Sequence, residues 1–282
     1  MNISTSRTTR AVPIAYSLIL PAHNERKRIG STLEKYCAEW DAKLQASGKT
    51  YELVVVANGC CDGTVRTVEE FSSKQPSHRN IRLLRLSEAN KGYAVLVGFR
   101  HARGRIVGFA DADGAVAPSL MLDIMKKAEQ NVVVIGSKYH HQAQCQQRQP
   151  VFRRFASRGW NLLVRLVLGL QVTDTQAGAK AMPVKCVRAV LDRVVPCNFA
   201  FDVSLLWETH KAGYEIVEVP LTWDHLQGSK FNLIKEVPRM FFALMRLRFA
   251  PRENPATSDG VQAEPKRMDR GDKEAEAEEV VL

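Results

Sequence analysis

The sequence predicts an α/β fold, a mostly parallel sheet flanked by helices on both faces. Short apolar runs alternate with segments whose apolar positions recur at helical spacing, the order that buries a parallel sheet between two helical layers. Polar segments fall where those strands end, and ligands bind beyond the carboxyl ends of strands in sheets of this kind. With 282 residues, 45% hydrophobic and 25% charged, the chain is long enough to bury a sizeable core.

After a flexible, basic arm over residues 1–13, "YSLILP" reads as the first strand. Over residues 28–46, Ile29, Leu33, Tyr36, Cys37, Trp40 and Leu44 form one apolar stripe, hence a helix. "ELVVVA", "IRLLRL" and "RIVGFA" are the second to fourth strands, with "KGYAVLVGFRHA" a helix between the last two. "PSLMLDIMKKAEQ" follows as a helix with Pro118 near its first turn, and "NVVVIGS" is a further strand. The Gln- and His-rich "KYHHQAQCQQRQP" reads as a mobile surface loop. "FRRFASRGWNLLVRLVLGL" is a helix, "VTDTQAGAKAM" a loop, the segment beginning "AFDVSLLWETH" a helix and "YEIVEVPLTW" a strand. The expected organisation is one catalytic domain over 14–232, an amphipathic helix over 233–250 and a disordered charged tail over 251–282.

The formal net charge of +10 is uneven. Residues 251–282 carry five basic and nine acidic side chains, so the tail stands at −4 and the remainder at +14. A basic body suits phosphorylated small molecules or an anionic membrane surface. No recognition helix, aromatic RNA-binding pair or zinc finger is present, so nucleic acid is not expected as a partner. The cysteines, Cys37, Cys60, Cys61, Cys145, Cys186 and Cys197, show neither a CxxC pair nor zinc-ligand spacing and read as reduced thiols. No apolar run approaches the ~18 residues of a membrane span, and the arm lacks a secretory-type apolar segment. A cytoplasmic protein, peripheral at the inner face of the membrane, is expected. "VPRMFFALMRLRFAPR" sets Phe241, Phe242, Leu244, Met245 and Phe249 beside Arg239, Arg246, Arg248 and Arg252, a composition suited to a headgroup layer or to a core-packed helix.

The most informative stretch is "IVGFADADGAVAP", where a buried strand ends on Asp111 and Asp113. Two carboxylates on one side of the chain each raise the cost of ionising the other, and a hard divalent cation removes that cost. Magnesium takes one or two protein carboxylates and completes its shell with water and phosphate oxygens, which points to a phosphate-bearing ligand. The same residues also suit a turn that merely terminates the strand. His23, Asn24 and Glu25 after the first strand, and Asp62, Gly63 and Thr64 after the second, read equally as ligand loops or as helix caps.

In serial order, "LILPAHNERKRI", "VVVANGCCDGT", "NKGYAVLVGF", "GFADADGA", "DTQAGAKAM", "AFDVSLL" and "HLQGSK" resemble glycosyltransferase family 2. The branch resembled is that of the dolichyl-phosphate mannose synthases and glucosyltransferases, over residues 15–231. The resemblance implies a GT-A, Rossmann-like fold, a UDP- or GDP-sugar donor, Mg2+ or Mn2+ at the DxD motif, and inverting transfer of a hexose to a polyprenyl phosphate. Asp111 and Asp113 would then hold metal and donor, with His225 a late metal position. Pro21, His23, Asn24, Glu25, Asn58, Asp62, Lys91 and Gly92 would serve the donor. Asp174 and Gln176 would shape the sugar pocket, and Lys230 would neutralise the departing diphosphate. Lys138, Arg153, Ser157 and Arg158 would grip the acceptor phosphate. Four positions depart from the family pattern: Ala57 and Asn58 stand where two Asp are common, Lys138 where Arg is usual, and Ala179 where Phe is frequent.

A phosphate monoester is already anionic at neutral pH and needs no base. A sugar hydroxyl would need one, for which Asp202 is the candidate unless it caps its helix. Transfer to a glycan or small-molecule hydroxyl through Asp202, or a non-catalytic nucleotide-binding role, are the alternatives.

Overall fold

The computed structural model describes residues 13–76, 79–140, 142–143, 151–196, 200–221, 233–249 and 278–280, with backbone alone at 151–156, 233–237, 239 and 278–280. Strands β1 (Ile14–Ala22), β2 (Thr50–Asn58), β3 (Asn80–Leu86), β4 (Ile106–Ala110), β5 (Val133–Ser137), β6 (Ala179–Pro183), β7 (Ile216–Pro220) and β8 (Glu278–Val280) form one sheet in the order β7-β5-β6-β4-β1-β2-β3-β8. β1 runs parallel to β2 and β4, β2 to β3, and β5 to β7. β6 pairs antiparallel with both β4 and β5, and β8 antiparallel with β3.

Successive residues of β1 and β2 go to opposite faces, as the pleat requires. Leu18, Leu20, Leu53 and Val55 join one core with α1 (Ile29–Leu44), α2 (Thr64–Ser72) and α4 (Pro118–Ala128). Ile19, Val54 and Val56 join a second core with α3 (Lys91–His101), α5 (Val151–Leu168), α6 (Val184–Val190), α7 (Phe201–Lys211) and α8 (Leu233–Phe249). Strands buried on both faces read as continuous apolar runs, which is why "ELVVVA" and "IRLLRL" are legible as strands. At the amino end of the sheet, buried Glu52 accepts from Ser17 Oγ at 2.5 Å, Arg103 N at 2.7 Å and Arg82 at 3.1 Å. That network closes the edge opposite the one where β1, β2 and β4 end.

Three local expectations are corrected. "VTDTQAGAKAM" is not wholly loop, because Ala179–Pro183 form β6, wedged between β4 and β5. Small side chains hide this strand from a reading based on apolar runs. Asp202 is not a helix cap: Ala200 holds the N-cap of α7, and Asp202 lies inside its first turn. Three residues of the segment read as a disordered tail, Glu278–Val280, pair along β3 as β8; residues 250–277 lie outside the described residues, as do 1–12 and most of the 138–150 loop.

Candidate active site

Asp111 and Asp113 lie just past β4, the first residue on a backbone bond to Gly178 O at 3.1 Å and the second in a turn. Asp113 Oδ1 accepts from Ala115 N at 3.0 Å, which ties down one of its oxygens locally. The turn is clamped from α1. Thr32, Tyr36 and Trp40, spaced four apart on one helical stripe, donate to the carbonyls of Ala112 at 3.1 Å, Val116 at 3.2 Å and Pro118 at 2.8 Å. The carboxylates therefore project from a braced loop rather than a loose one. Burial, then the charge of Asp111, raise the pKa of Asp113 above the usual carboxylate range.

Lys91, the first residue of α3, reaches Asp111 Oδ1 at 2.5 Å. Burial alone would depress its pKa, but Asp111, Asp202 and Asp113 outweigh that and hold the ammonium above its ordinary value. Gly92 is required here because a side chain would meet Phe201 Cβ at 2.7 Å, so α3 and α7 converge at their amino ends. Gly178 is required for a related reason: a Cβ there would run into the Asp111 carboxylate.

Around the loops after β1 and β2, His23 Nδ1 lies 2.7 Å from Asn58 O, and Asn24, at φ +55°, accepts from Cys61 N at 2.9 Å. Pro21 lies in β1, paired with Val56 of β2. Glu25 forms a two-point ion pair with Arg28 at 2.6 and 2.7 Å. Asp62 accepts from Thr64 N at 3.0 Å and Arg26 N at 3.1 Å, joining the two loops; these bonds outweigh burial and lower its pKa. Asn58 is buried and donates to Ala22 O at 2.9 Å, bracing β1 against β2. Cys60 packs beside it, its thiol pushed up by burial and so away from the reactive thiolate.

On the other side, Asp174 is buried and accepts from Lys138 N at 3.1 Å, with Lys138 Nζ at 4.0 Å. Its loop is held by two residues that the sequence reading did not place in the site. Glu218 accepts from Thr173 N and Asp174 N at 3.0 and 3.1 Å, and Asn161 of α5 accepts from Thr175 N at 3.2 Å and Thr175 Oγ1 at 2.8 Å. Gln176 sits half-buried in the same loop. Ser157 is half-buried and Arg158 exposed on α5, one and one-quarter turns or less from Asn161; for Arg153 only the backbone is described. His225 and Lys230 lie outside the described residues.

A third unanticipated residue is Lys180. Wholly buried in β6, it donates to Asp202 Oδ1 at 2.7 Å and Ala177 O at 2.6 Å, with its ammonium 5.2 Å from the centre of the Phe109 ring.

Among the described residues no cluster of three or more His, Cys, Asp or Glu could hold a metal through protein ligands alone. A hard cation that needs only two carboxylates nevertheless suits this donor set: oxygen ligands only, like-charged, and one of them pushed toward protonation by burial and by its neighbour's charge.

Residues 17–191 match the model of Glycosyl transferase family 2. Dolichyl-phosphate beta-glucosyltransferase of Dictyostelium discoideum is 31% identical over 244 residues, 84% of this chain and 74% of that protein. The Drosophila melanogaster protein of the same name is 32% identical over 225 residues, 77% of this chain and 69% of that one. Among solved structures, glucosyl-3-phosphoglycerate synthase from Mycobacterium tuberculosis in complex with UDP aligns at TM-score 0.61 and 18% identity, covering 85% of this chain and 82% of that one. The same enzyme with Mn2+, UDP and glucosyl-3-phosphoglycerate aligns at 0.61 and 17%, covering 85% and 81%. That likeness establishes the GT-A fold. With the family model spanning more than half its length and relatives above 30% identity across most of it, the chain belongs to glycosyl transferase family 2.

Proposed function

We propose that the protein transfers glucose from UDP-glucose to a polyprenyl phosphate at the cytoplasmic face of a membrane, with inversion at the anomeric carbon. The names of the relatives, dolichyl-phosphate beta-glucosyltransferases, support the donor sugar and the acceptor. The observation that carries the choice of acceptor is the state of Asp202. The base that a hydroxyl acceptor would require is only 3% exposed and already accepts from a buried ammonium. A phosphate acceptor, with a second pKa of about 6, needs no such base.

In this reading His23, Asn24, Glu25 and Asp62 frame the nucleoside, and Asp174 and Gln176 line the sugar pocket. Mg2+ or Mn2+ held by Asp111 and Asp113 would neutralise charge on the departing diphosphate. Lys138, Arg153, Ser157 and Arg158 hold the acceptor phosphate behind the sugar, so that an acceptor oxygen bonds to the anomeric carbon as the bond to the diphosphate breaks. Arg and Lys differ here, since Lys138 supplies a point charge where a planar fork would bind two oxygens. The site is worth most through alignment, because holding the nucleophile in line removes an entropic cost of several kcal/mol, roughly 7–11 in favourable cases.

The membrane surface is supported by α5 and α8, which pack together. Leu162 and Leu166 on α5 are 57% and 75% exposed, and Phe242 and Phe249 on α8 are each 71% exposed. Exposed Arg158, Arg165, Arg246 and Arg248 flank them. Apolar side chains rimmed by cations fit an anionic headgroup layer. Among the described residues no helix is long and apolar enough to cross a membrane.

The test is transfer of radiolabelled sugar from UDP-glucose and a panel of other UDP and GDP sugars into extracted polyprenyl phosphates, with Mg2+ or Mn2+. Label entering the lipid phase, lost in Asp113→Ala, supports the proposal. Donor hydrolysis with no label in lipid would remove the phosphate acceptor and reinstate a hydroxyl acceptor. No turnover of any donor would leave a nucleotide-binding role.

A further inference from the structure

Lys91 occupies a position that helix electrostatics argue against. It is the first residue of α3, after the cap formed by Asn90, whose side chain accepts from Tyr93 N at 3.1 Å. Aligned peptide dipoles place partial positive charge at that end, so a cation there is unfavourable unless something else holds it. A residue that conflicts with its local structure marks a functional position.

What holds it is Asp111, at 2.5 Å, with the ammonium 5.9 Å from the centre of the Phe109 ring. Asp113 and Asp202 add their charges to the same ammonium. Asp202 is already matched by Lys180, and Asp113 feels the charge of Arg28 as well as that of Lys91, so the direct contact of Lys91 is with Asp111. The Lys91 side chain is 32% exposed and that of Asp111 36% exposed, so the contact is open to exchange with ions from solvent.

We propose that Lys91 is a resident counter-cation, which occupies Asp111 in the ligand-free protein, competes there with the divalent ion, and releases the carboxylate when a nucleotide diphosphate offers it another anionic partner. The proposal rests on the reading of Asp111 and Asp113 as the cation site of a nucleotide-sugar donor. It makes cation and nucleotide bind with positive coupling, and by linkage each must raise the affinity of the other by the same factor. It also spares the free protein two uncompensated carboxylates in one cleft.

The experiment is Mn2+ binding to the full chain, followed by the electron paramagnetic resonance signal of unbound Mn2+, with and without UDP. Lys91→Gln is expected to bind Mn2+ about tenfold more tightly than wild type in the absence of UDP, and to show a smaller gain when UDP is added. Lys91→Arg, which keeps the charge, is expected to show no such tightening. Adding Asp113→Asn to Lys91→Gln is expected to abolish it. Unchanged or weaker binding in Lys91→Gln overturns the proposal, as does tightening that survives Asp113→Asn. Thermal melts give a second readout should the variant lose stability: Mn2+ alone should raise its melting temperature more than that of wild type, and equal shifts overturn the proposal. Wild-type protein that binds no Mn2+ even with UDP removes the cation site itself and the proposal with it, whereas UDP-dependent binding in wild type with no gain in Lys91→Gln removes the proposal alone.

Discussion

Lys180 and Asp202 meet at 2.7 Å with side-chain exposures of 0% and 4%. One comes from a strand between two others, the other from the first turn of α7, and the pair joins the sheet to the helix. Two charges removed from water cost more than their attraction returns unless geometry is good, but breaking such a pair leaves a buried charge unmatched. Lys180→Met is therefore expected to destabilise the protein by about 3–5 kcal/mol in urea unfolding. Pairing it with Asp202→Leu should recover much of that loss. A double variant whose loss equals the sum of the two single losses would show that the two residues act independently.

The turn after β4 predicts an exchange of stability for activity. Asp113 has a folded pKa above its unfolded value, so the native state holds the proton more tightly than the unfolded chain does. Its stabilising effect is complete below the unfolded pKa and is lost as pH rises through the folded pKa. Without added cation, Asp113→Asn should melt higher than wild type at pH 7, and the difference should close as pH falls through the folded pKa. Transfer activity should fall by about 10² to 10³-fold. Scanning calorimetry from pH 4 to pH 8 checks the first expectation, and an initial-rate assay the second.

Gly178 predicts a loss of activity through displacement of a neighbour. A methyl group at this position meets the Asp111 carboxylate, which must turn or retreat. Misplacement of a reacting constellation by about 1 Å can cost roughly 10²-fold in rate. Gly178→Ala should lose about that much transfer while its urea midpoint stays near wild type. Full activity in this variant would show that the orientation of Asp111 is immaterial.

The paired helices α5 and α8 predict vesicle binding. Burying one large apolar side chain contributes about 1.5–3 kcal/mol, so Leu166→Asp combined with Phe242→Asp should weaken binding to phosphatidylglycerol vesicles by about 10²-fold or more. Flotation with anionic and zwitterionic vesicles separates the apolar contribution from that of the arginines. Equal binding by the variant would remove this face from the membrane reading.

Much of the architecture is legible in the sequence because both faces of the sheet are buried: Leu53, Val54, Val55 and Val56 are apolar on every side, and α1 shows its stripe plainly. What stays hidden depends on partners distant in sequence. β6 carries Ala179, Lys180 and Ala181, and it is a strand because β4 and β5 supply its ladder. Lys180 looks like a surface residue until Asp202 is brought to it. Asn58 offers the right chemistry for a nucleoside, yet spends its amide on the backbone of β1. Tyr36 and Trp40 are recognisable as core, but their polar tips, which fix the turn bearing Asp111 and Asp113, depend on a loop about eighty residues away. The loop positions of His23, Glu25 and Asp62 are legible because polar residues after apolar runs have few other places to lie.

The wedged position of β6 also sets an order of assembly. β1 to β4 can pair as soon as they are synthesised, but the strand that completes β4 lies some seventy residues further along the chain. Until it arrives, a nascent chain exposes β4 as an open edge, the kind that invites pairing with another molecule. The cleft has no Gly178 beside Asp111 during that interval. Closing that edge and finishing the cleft are thus one late event, and a chain stalled before it would be prone to aggregate while still unable to transfer sugar.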